Sequence, residues 1–342
     1  MDGHANLDRI DRAVLTLLQE GLPLEPHPLA ALAFRAGIPE GEFLSRAIRW
    51  KEEGLIRDIR GIFDARALGY SSLLVAAQLD PTRVDEAAET VNRHPGVSHN
   101  YLREGRFNLW FTLAVPPGKK AEEEAEELVR AAGGEDWLPF PALKVFKVRA
   151  VFELGENGPG HRQVVGDSLS VENRFPSPNS GPDSPAAPSL SSREIAAVRA
   201  LQEDFPLVPD PFRELGERAG FEEQELIGLA VRLRDQGRLR RIAATLRHRR
   251  AGFRANAMVV WEAEGKRAEA AGWLFASHPR VSHCYLRPTY PEWPYGLFTM
   301  MHASSREELE ETVSLLSRES GLYSFSVLWS LKEYKKERIR YF

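Results

Sequence analysis

The sequence predicts an α+β protein of two tandem repeats, each a winged helix-turn-helix followed by a ferredoxin-like βαββαβ domain. Residues 94–103 recur as residues 278–287, and the two copies differ only at Gly96/Arg280 and Asn100/Cys284. Residues 23–28 and 206–211 are both rich in proline. Three glycines of the first half also recur at an offset of 183: Gly37, Gly54 and Gly69 correspond to Gly220, Gly237 and Gly252. The repeat therefore spans both parts of each half.

Three helices and a small β-wing open each half. Apolar residues at helical spacing, among them Ile10, Val14 and Leu17, predict a first helix over residues 7–20. Glycines end the next two helices, over residues 29–36 and 40–53, and a turn at Gly61 then leads into a second wing strand. The second half repeats this pattern with helices at 193–203, 212–219 and 223–236 and a wing at 240–246.

A ferredoxin-like unit follows each wing. In the first half the expected order is strand 73–79, helix 82–93, strands 97–103 and 107–115, helix 119–132 and strand 144–152. A Gly-, Pro- and Ser-rich stretch then predicts a flexible linker. The predicted domains are 1–70 and 193–254 (winged helices), 71–154 and 255–330 (ferredoxin-like units), 155–192 (linker) and 331–342 (a basic tail).

Composition limits the function classes. The 342 residues are 43% hydrophobic and 27% charged with a net charge of −4, which is typical of a soluble globular protein. A single cysteine, Cys284, excludes a disulfide framework and a cysteine-only metal site. The sequence has no apolar run of membrane length and no signal-peptide pattern, so we expect a cytoplasmic chain with no membrane partner.

The helix-turn-helix units do not predict DNA binding. The first turn of a recognition helix faces bases and phosphates, but here it carries Glu40 and Glu42 in one half and Glu222, Glu223 and Glu225 in the other. Carboxylates repel phosphates, and affinity for DNA depends largely on Lys and Arg. We therefore expect no DNA partner.

Residues 283–302 hold the densest set of chemically useful side chains. Strand alternation places His283, Tyr285 and Arg287 on one face and Cys284 on the other, in the core. A proline-stiffened loop then carries Tyr290, Trp293 and Tyr295, and a returning strand ends at His302. Either a ligand site or an unusually polar hairpin would explain this stretch, and a structural histidine is the alternative for both His283 and His302.

The first half preserves only part of this stretch. His99, Tyr101 and Arg103 repeat the strand triad without the aromatic loop, and Asn108 and Val115 stand where Tyr295 and His302 would fall. A basic cluster lies in the second wing instead. It comprises Arg238, Arg240, Arg241, Arg247, His248, Arg249, Arg250 and Arg254. Guanidinium groups bind carboxylates in pairs of hydrogen bonds, so a ligand with many carboxylates would suit this wing and Arg287 together.

Residues 283–302, with the proline-rich residues 206–212 and residues 255–261, resemble the siroheme decarboxylases. These are Lrp/AsnC-like proteins of alternative haem and d-type haem biosynthesis, usually made as two homologous subunits. The resemblance covers nearly the whole chain except the linker, and it implies that both subunits are fused here as an internal heterodimer. A further homodimer is left open.

The resemblance implies a carboxy-lyase that removes CO₂ from two acetate side chains of siroheme to give didecarboxysiroheme. The macrocycle would accept the electrons, so no separate cofactor or metal is expected beyond the substrate's own iron. The protein must then anchor the other carboxylates, desolvate the one that leaves and donate a proton.

The implied roles fall into three groups. His283 is the expected acid or iron-facing ligand, with His302 and His248 as alternatives, and Tyr285 and Tyr295 orient carboxylates or relay a proton. The remaining substrate contacts are expected from Arg287, Arg240, Arg241, Arg249, Tyr290 and Trp293. His99, Tyr101 and Arg103 would form a degenerate secondary pocket or contribute residues across the interface.

Two other functions remain open at this stage. An Lrp/AsnC-like transcription regulator or tetrapyrrole sensor would use the same pocket but would need a helix able to bind DNA. A simple ligand-binding module would keep the arginines and aromatic residues without needing a histidine.

Overall fold

A computed structural model describes residues 7–148, 189–246 and 255–342. The first half begins with three helices and one strand: α1 (Arg9–Glu20), α2 (Pro28–Ala36), α3 (Glu40–Glu52) and β1 (Ile56–Phe63). Its second unit consists of β2 (Ser71–Gln78), α4 (Val84–Asn92), β3 (Val97–Arg103), β4 (Leu109–Val115), α5 (Ala121–Ala131), β5 (Asp136–Pro141) and β6 (Lys144–Val148).

The second half repeats this order with one difference at its end. Its helix-turn-helix unit consists of α6 (Ser192–Leu201), α7 (Pro211–Ala219), α8 (Glu223–Asp235) and β7 (Leu239–Leu246). The ferredoxin-like unit consists of β8 (Ala255–Trp261), α9 (Gly265–Ser277), β9 (Val281–Leu286), β10 (Leu297–Ala303), α10 (Arg306–Ser320) and β11 (Phe325–Lys336). The single long strand β11 replaces the pair β5 and β6. The α+β class with two repeats is confirmed.

Local sequence explains where the helices start and stop. Asp8 caps α1 and Ser191 caps α6, each in a reciprocal capping box with the residue three positions on. Gly37 and Gly220 end α2 and α7 in the left-handed region, with φ of 71° and 74°. The equivalent caps give the two helix-turn-helix units the same shape.

The two wings pair with each other instead of forming hairpins. β1 and β7 form a two-stranded antiparallel sheet in which Ile59 faces Ala244 and Gly61 faces Ile242. The predicted turn at Gly61 is therefore wrong, because β1 runs straight through it. Glycine is required there for space, since a Cβ would lie 2.8 Å from the carbonyl oxygen of Leu201.

The ferredoxin-like units share one nine-stranded sheet in the order β5-β2-β4-β3-β11-β8-β10-β9-β6. β11 pairs with β8 through Phe325–Trp329 and with β3 through Ser330–Lys336. In return, β6 of the first half pairs with β9 of the second. Each half thus completes the sheet of the other, as expected of an internal heterodimer.

This exchange corrects two expectations. The strand predicted to close the first unit, at 144–152, lies instead at the edge of the second unit's sheet through β6, and β5 pairs with β2 in its place. The predicted basic tail begins too early, because Lys332 to Lys336 belong to β11. Lys332 pairs with Asp85 at 2.8 Å, and Lys335 donates to the carbonyl oxygen of Asn92 at 2.8 Å.

The last residues return to the helix-turn-helix pair. Tyr341 packs edge-on against Tyr70 with ring centroids 5.0 Å apart. It also exchanges two backbone hydrogen bonds with the side chain of Gln202. Both helix-turn-helix units and the C-terminal residues share a single hydrophobic core.

Two more cores lie between each half of the sheet and its own helices. A fourth contains side chains from both halves of the sheet, including Trp110 and Phe140 from the first and Phe298 and Leu328 from the second. The two halves of the sheet therefore face each other. Within the described ranges no helix is long and apolar enough to cross a membrane.

Candidate functional site

Two matching ladders of side chains lie on β3 and β9. In the second half the rings of His283 and Tyr285 stack with centroids 6.2 Å apart, and the guanidinium carbon of Arg287 lies 4.7 Å from the centre of the Tyr285 ring. In the first half His99 and Tyr101 stack at 6.4 Å, with Arg103 at 5.1 Å. Each strand thus presents a histidine, a phenol and a cation on one face, as alternation predicts.

The opposite face of β9 is core. Cys284 is fully buried among the apolar residues beneath α9, and its Sγ lies 3.6 Å from the carbonyl oxygen of Gly272. Burial raises the pKa of the thiol to about 12, so it stays protonated and unreactive. Cys284 therefore has the structural place that the sequence predicts.

Arg103 is buried and Arg287 is half-buried, and neither has a carboxylate partner among the described residues. Arg287 donates to the carbonyl oxygen of Phe140, and Arg103 donates to that of Leu328 at 3.2 Å and to Ser330 Oγ at 2.8 Å. The Nε of each has no hydrogen-bond partner, and no carboxylate of the described residues pairs with either. Burial lowers the pKa of both to about 10, so both stay charged at neutral pH. A buried, unpaired cation is costly and suits an anionic ligand.

The two histidines lie within electrostatic reach of each other. The pKa of His283 is lowered to about 4, first by burial and then by the positive charges of His99, Lys336 and Lys147. Burial also lowers the pKa of His99 to about 4, and Lys336 and Arg57 add to the effect while Glu333 opposes it. The triads of the two halves therefore lie close enough to influence each other, and we call the basic region that contains them the chamber. Both histidines are neutral near pH 7 in the ligand-free chain.

A bulge in each ladder brings a serine beside its histidine. Met300 of β10 pairs with His283 and Met301 pairs with Val281, so Ser282 is an extra residue on β9. Its Oγ lies 2.9 Å from Nδ1 of His283 and 2.8 Å from Nε2 of His302. Bulges commonly redirect a side chain next to a functional site.

The wings supply one arginine each to the chamber. Arg240 of β7 lowers the pKa of Tyr285, against the larger rise caused by burial, and pairs with Asp64 at 2.7 Å. Arg57 of β1 holds the equivalent place, at the offset of 183, and influences His99 in the same way. The wing therefore contributes to the site in both halves.

The predicted substrate contact of Arg241 stays a prediction. Arg241 follows Arg240 on β7 and points to the other side of the strand, where a Cβ added to Gly21 would lie 3.4 Å from its own Cβ. The pleat places adjacent residues on opposite faces, so Arg241 packs beside the end of α1. The predicted contacts of His248 and Arg249 lie outside the described residues.

The aromatic loop packs between the halves. Trp293 is only 8% exposed, and its ring lies 5.4 Å from that of Trp110 and 5.7 Å from that of Phe140. Tyr290 donates to the carbonyl oxygen of Pro139, and Tyr295 packs on Trp293 at 5.3 Å. The loop therefore joins the two ferredoxin-like units, and its predicted contacts with a ligand stay predictions.

Sequence reasoning missed several residues of the chamber, namely Ser282, Ser98, Lys147, Lys336 and Arg57. A signal for the serines was present, since Val-Ser-His precedes both ladders. Lys336 was taken for part of a basic tail. Lys147 lies on β6, which reaches the site only through exchange between the halves.

The low pKa of the two histidines predicts a stability that depends on pH. In the unfolded chain each of the two histidines takes up a proton near pH 6.5, whereas in the folded chain it does so only near pH 4. The unfolded state therefore binds more protons in this window, and the free energy of unfolding falls as pH drops through it. From pH 7 to pH 5 the expected loss is about 2 kcal/mol for each histidine, measured by urea unfolding of the ligand-free chain.

A matched pair of variants tests that prediction. His283→Gln should remove about half of this pH dependence. His27→Gln changes a histidine whose side chain is 68% exposed, and should leave the chamber's contribution intact. An equal pH dependence in the parent and the His283 variant would contradict the buried, neutral state of His283.

The cations of the first recognition helix are held in ion pairs. On α3, Arg46 contacts Asp8, Asp11 and Glu42 at 2.7–3.0 Å. Arg49 contacts Asp11 at 2.6 Å, and Lys51 contacts Asp204 at 2.8 Å. The two wing strands, β1 and β7, also pair with each other. These cations of α3 are therefore engaged within the protein, and the absence of a DNA partner stays a prediction.

Comparisons with known proteins agree with this architecture. The family model "AsnC-like ligand binding domain" matches residues 67–147 and 250–335, and "Siroheme decarboxylase NirDL-like HTH domain" matches residues 11–57 and 194–240. The chain is 38% identical to a siroheme decarboxylase of Hydrogenobacter thermophilus over 96% of this chain and 94% of the relative. It is also similar to the siroheme decarboxylase alpha subunit of Desulfovibrio desulfuricans, at 38% identity over 44% of this chain and 86% of the subunit. The beta subunit from the same organism is 36% identical over 45% of this chain and 97% of the subunit.

A solved structure of the siroheme decarboxylase NirDL with an iron-uroporphyrin III analogue matches with a TM-score of 0.76 and 34% identity, covering 97% of this chain and 94% of that one. The paired wings, the shared sheet and the basic chamber define a double AsnC-like ligand-binding protein. The chain belongs to the siroheme decarboxylase family, as its resemblance predicts. The transcription-regulator alternative is not favoured.

Proposed function

We propose that this chain decarboxylates siroheme, removing CO₂ from two acetate side chains to give didecarboxysiroheme for an alternative haem or d-type haem pathway. Family membership supports the reaction class. The observation that supports the substrate is the pair of ladder arginines, Arg103 and Arg287, which have no carboxylate of their own among the described residues. Siroheme carries eight carboxylates, so the ligand would supply the missing counter-charges.

The chamber would act first by binding and orientation. Arg287 and Arg103 would hold carboxylates from inside the chamber, while Arg240 and Arg57 would hold others from the wings. Burial strengthens each of these interactions because water competes poorly there. The acetate that leaves would have to lie away from these cations, since an arginine would stabilise its negative charge and slow its loss.

The chemical step would break the bond between the acetate methylene carbon and its carboxyl carbon. The electron pair would pass into the macrocycle, CO₂ would leave, and a proton would convert the methylene into a methyl group. This sequence balances without an oxidant, so we propose that no cofactor is needed. His283 is the proposed acid, because its Nδ1 faces Ser282 and a proton on Nε2 would face the chamber.

The test is anaerobic incubation of the purified chain with siroheme, followed by mass spectrometry of the extracted tetrapyrrole. The parent should lose two CO₂ units with no added cofactor. His283→Ala should bind siroheme with similar affinity but turn over at least about 100-fold more slowly, which is typical for the loss of a general acid. Siroheme that binds the parent but returns unchanged would favour a sensor or carrier.

A further homodimer of this chain is left open, and its cytoplasmic location stays a prediction. The pairing that the family achieves with two subunits occurs here within one chain, through β6, β11 and the two wings. We therefore propose that a single chain already forms a complete catalytic unit.

A further inference from the structure

Ser282 bridges two histidines of the second half. Its Oγ lies 2.9 Å from Nδ1 of His283, 2.8 Å from Nε2 of His302 and 3.2 Å from the carbonyl oxygen of Met300. The bulge on β9 allows this arrangement, because regular alternation would place Ser282 on the face opposite His283. Three proton-carrying groups therefore form one continuous chain of hydrogen-bond contacts.

The first half has only the first two members of this chain. Ser98 also lies in a bulge, with its Oγ 2.9 Å from Nδ1 of His99. The position equivalent to His302 is Ala114, because Ala114 N donates to the carbonyl oxygen of Gly96 as His302 N donates to that of Arg280. The sequence comparison assigned Val115 to this place, one residue too far. Alanine cannot carry a proton.

We propose that Ser282 and His302 form a proton relay that resupplies His283, so that the protonation step belongs to the second half of the chain. This inference rests on the proposed function, since it concerns the proton that completes each methyl group. The half-buried His302 would take up protons from solvent, and Ser282 would pass them inward. The first half, which has alanine at the third position, would bind and orient the substrate.

The transfer balances. As the carbon–carbon bond breaks and CO₂ leaves, a protonated His302 gives its Nε2 proton to Ser282, Ser282 gives its hydroxyl proton to Nδ1 of His283, and His283 gives its Nε2 proton to the methylene carbon. His283 is left with its proton on Nδ1, and exchange with solvent returns a proton to Nε2 before the next decarboxylation. His302 ends neutral and is protonated again by solvent. No other co-reactant is required.

This relay matches the electrostatics of the chamber. Burial first, and then the positive charges of Lys336 and Lys147, keep His283 neutral in the ligand-free chain. A neutral imidazole is a weak acid, and a proton that reaches its Nδ1 as the Nε2 proton leaves avoids the formation of an imidazolate. Ser282 contacts this Nδ1 directly, so it acts as a positioning residue that also conducts the proton.

Four variants of the full chain test the relay under single-turnover conditions with siroheme. Ser282→Ala should lower the decarboxylation rate by about 10- to 100-fold, with siroheme affinity changed by less than about twofold. Ser282→Thr keeps the hydroxyl and should recover most of the rate. His302→Gln should slow the reaction as Ser282→Ala does. The double variant should be no slower than either single one, because members of one relay are not additive.

Ser98→Ala is the matched control, because it removes the equivalent hydroxyl from the half without a third member. Its effect on the rate should be at least about tenfold smaller than that of Ser282→Ala. The rate should also be slower in D₂O for the parent, and this isotope effect should change in the Ser282 and His302 variants. A purely structural role for Ser282 would not alter it.

The outcomes separate this inference from the proposed function. If the parent is active and the rate losses of Ser282→Ala and His302→Gln add up in the double variant, the relay alone is overturned. The same holds if Ser282→Ala reacts at the parental rate. An inactive parent would overturn the proposed function. In that case ¹⁵N NMR of the histidines in the ligand-free chain still tests the contacts. The Nδ1 of His283 should report an accepted hydrogen bond that disappears in Ser282→Ala, and an unchanged signal would overturn the relay whatever the activity.

Discussion

Replacing Arg287 with methionine should weaken siroheme binding by about 30- to 100-fold and leave the ligand-free chain nearly as stable as the parent. A hydrogen bond between a buried guanidinium and a carboxylate contributes about 1.5–3 kcal/mol, which corresponds to roughly 10- to 160-fold in affinity and includes this range. Without ligand the same cation is half-buried, and within the described residues its only hydrogen-bond acceptor is the Phe140 carbonyl and its Nε has no partner. Methionine fills similar space without the cost of burying a charge.

Two measurements check this expectation: siroheme titration followed by absorbance, and urea unfolding of the ligand-free chain. The unfolding free energy should change by less than about 2 kcal/mol, because the lost hydrogen bond and the relieved charge burial act in opposite directions. A large loss of stability with unchanged affinity would instead make Arg287 a structural link to the first half.

Arg103→Met is the matched control in the other half. Arg103 is more deeply buried and donates to Leu328 and Ser330, so more of its hydrogen-bonding capacity is used within the protein. We expect a smaller loss of affinity and a larger loss of stability than for Arg287→Met. Equal losses of affinity would show that both ladders hold substrate carboxylates with similar strength.

The sequence predicted the features that depend on local pattern. The repeat is visible directly in the sequence. The helix ends at Gly37 and Gly220 follow from glycine conformation, and the shared face of His283, Tyr285 and Arg287 follows from strand pleating. Each of these requires only a few neighbouring residues. The acidic first turns of the recognition helices were informative for the same reason.

Long-range partners could not be predicted in this way. A strand pattern such as that of β6 shows that the segment is extended but does not show which edge it will join. The same limit explains why the wings were expected to form hairpins and why Lys332 to Lys336 were assigned to a tail. A basic cluster defined by composition also ignores the alternation of faces along β7, which places Arg240 and Arg241 on opposite sides of the strand.

Trp293→Ala should cost about 3–5 kcal/mol of unfolding free energy, the largest effect we expect for a single change between the halves. The ring lies 5.4 Å from Trp110, 5.7 Å from Phe140 and 6.0 Å from Phe107, all in the first half. Its removal would leave a cavity at the centre of the core that joins the two ferredoxin-like units. Urea unfolding of the ligand-free chain measures this cost.

A pair of phenylalanine variants separates packing from hydrogen bonding. The indole N–H of Trp293 is buried and has no partner in the part of the chain that the structure describes, whereas that of Trp110 donates to the carbonyl oxygen of Phe107 at 2.7 Å. Trp110→Phe should therefore cost about 1 kcal/mol more than Trp293→Phe. The reverse order would contradict the packing of the loop described above.

Siroheme titration of Trp293→Phe then tests the aromatic contact that the sequence predicts. If Trp293 serves only to join the halves, Trp293→Phe should bind siroheme within about twofold of the parent, because phenylalanine keeps most of the packing. A loss of tenfold or more, without a matching loss of stability, would show that the indole reaches the macrocycle and that its unpaired N–H is a contact for the ligand. In that case the loop must move when siroheme binds, since the ring is only 8% exposed without it.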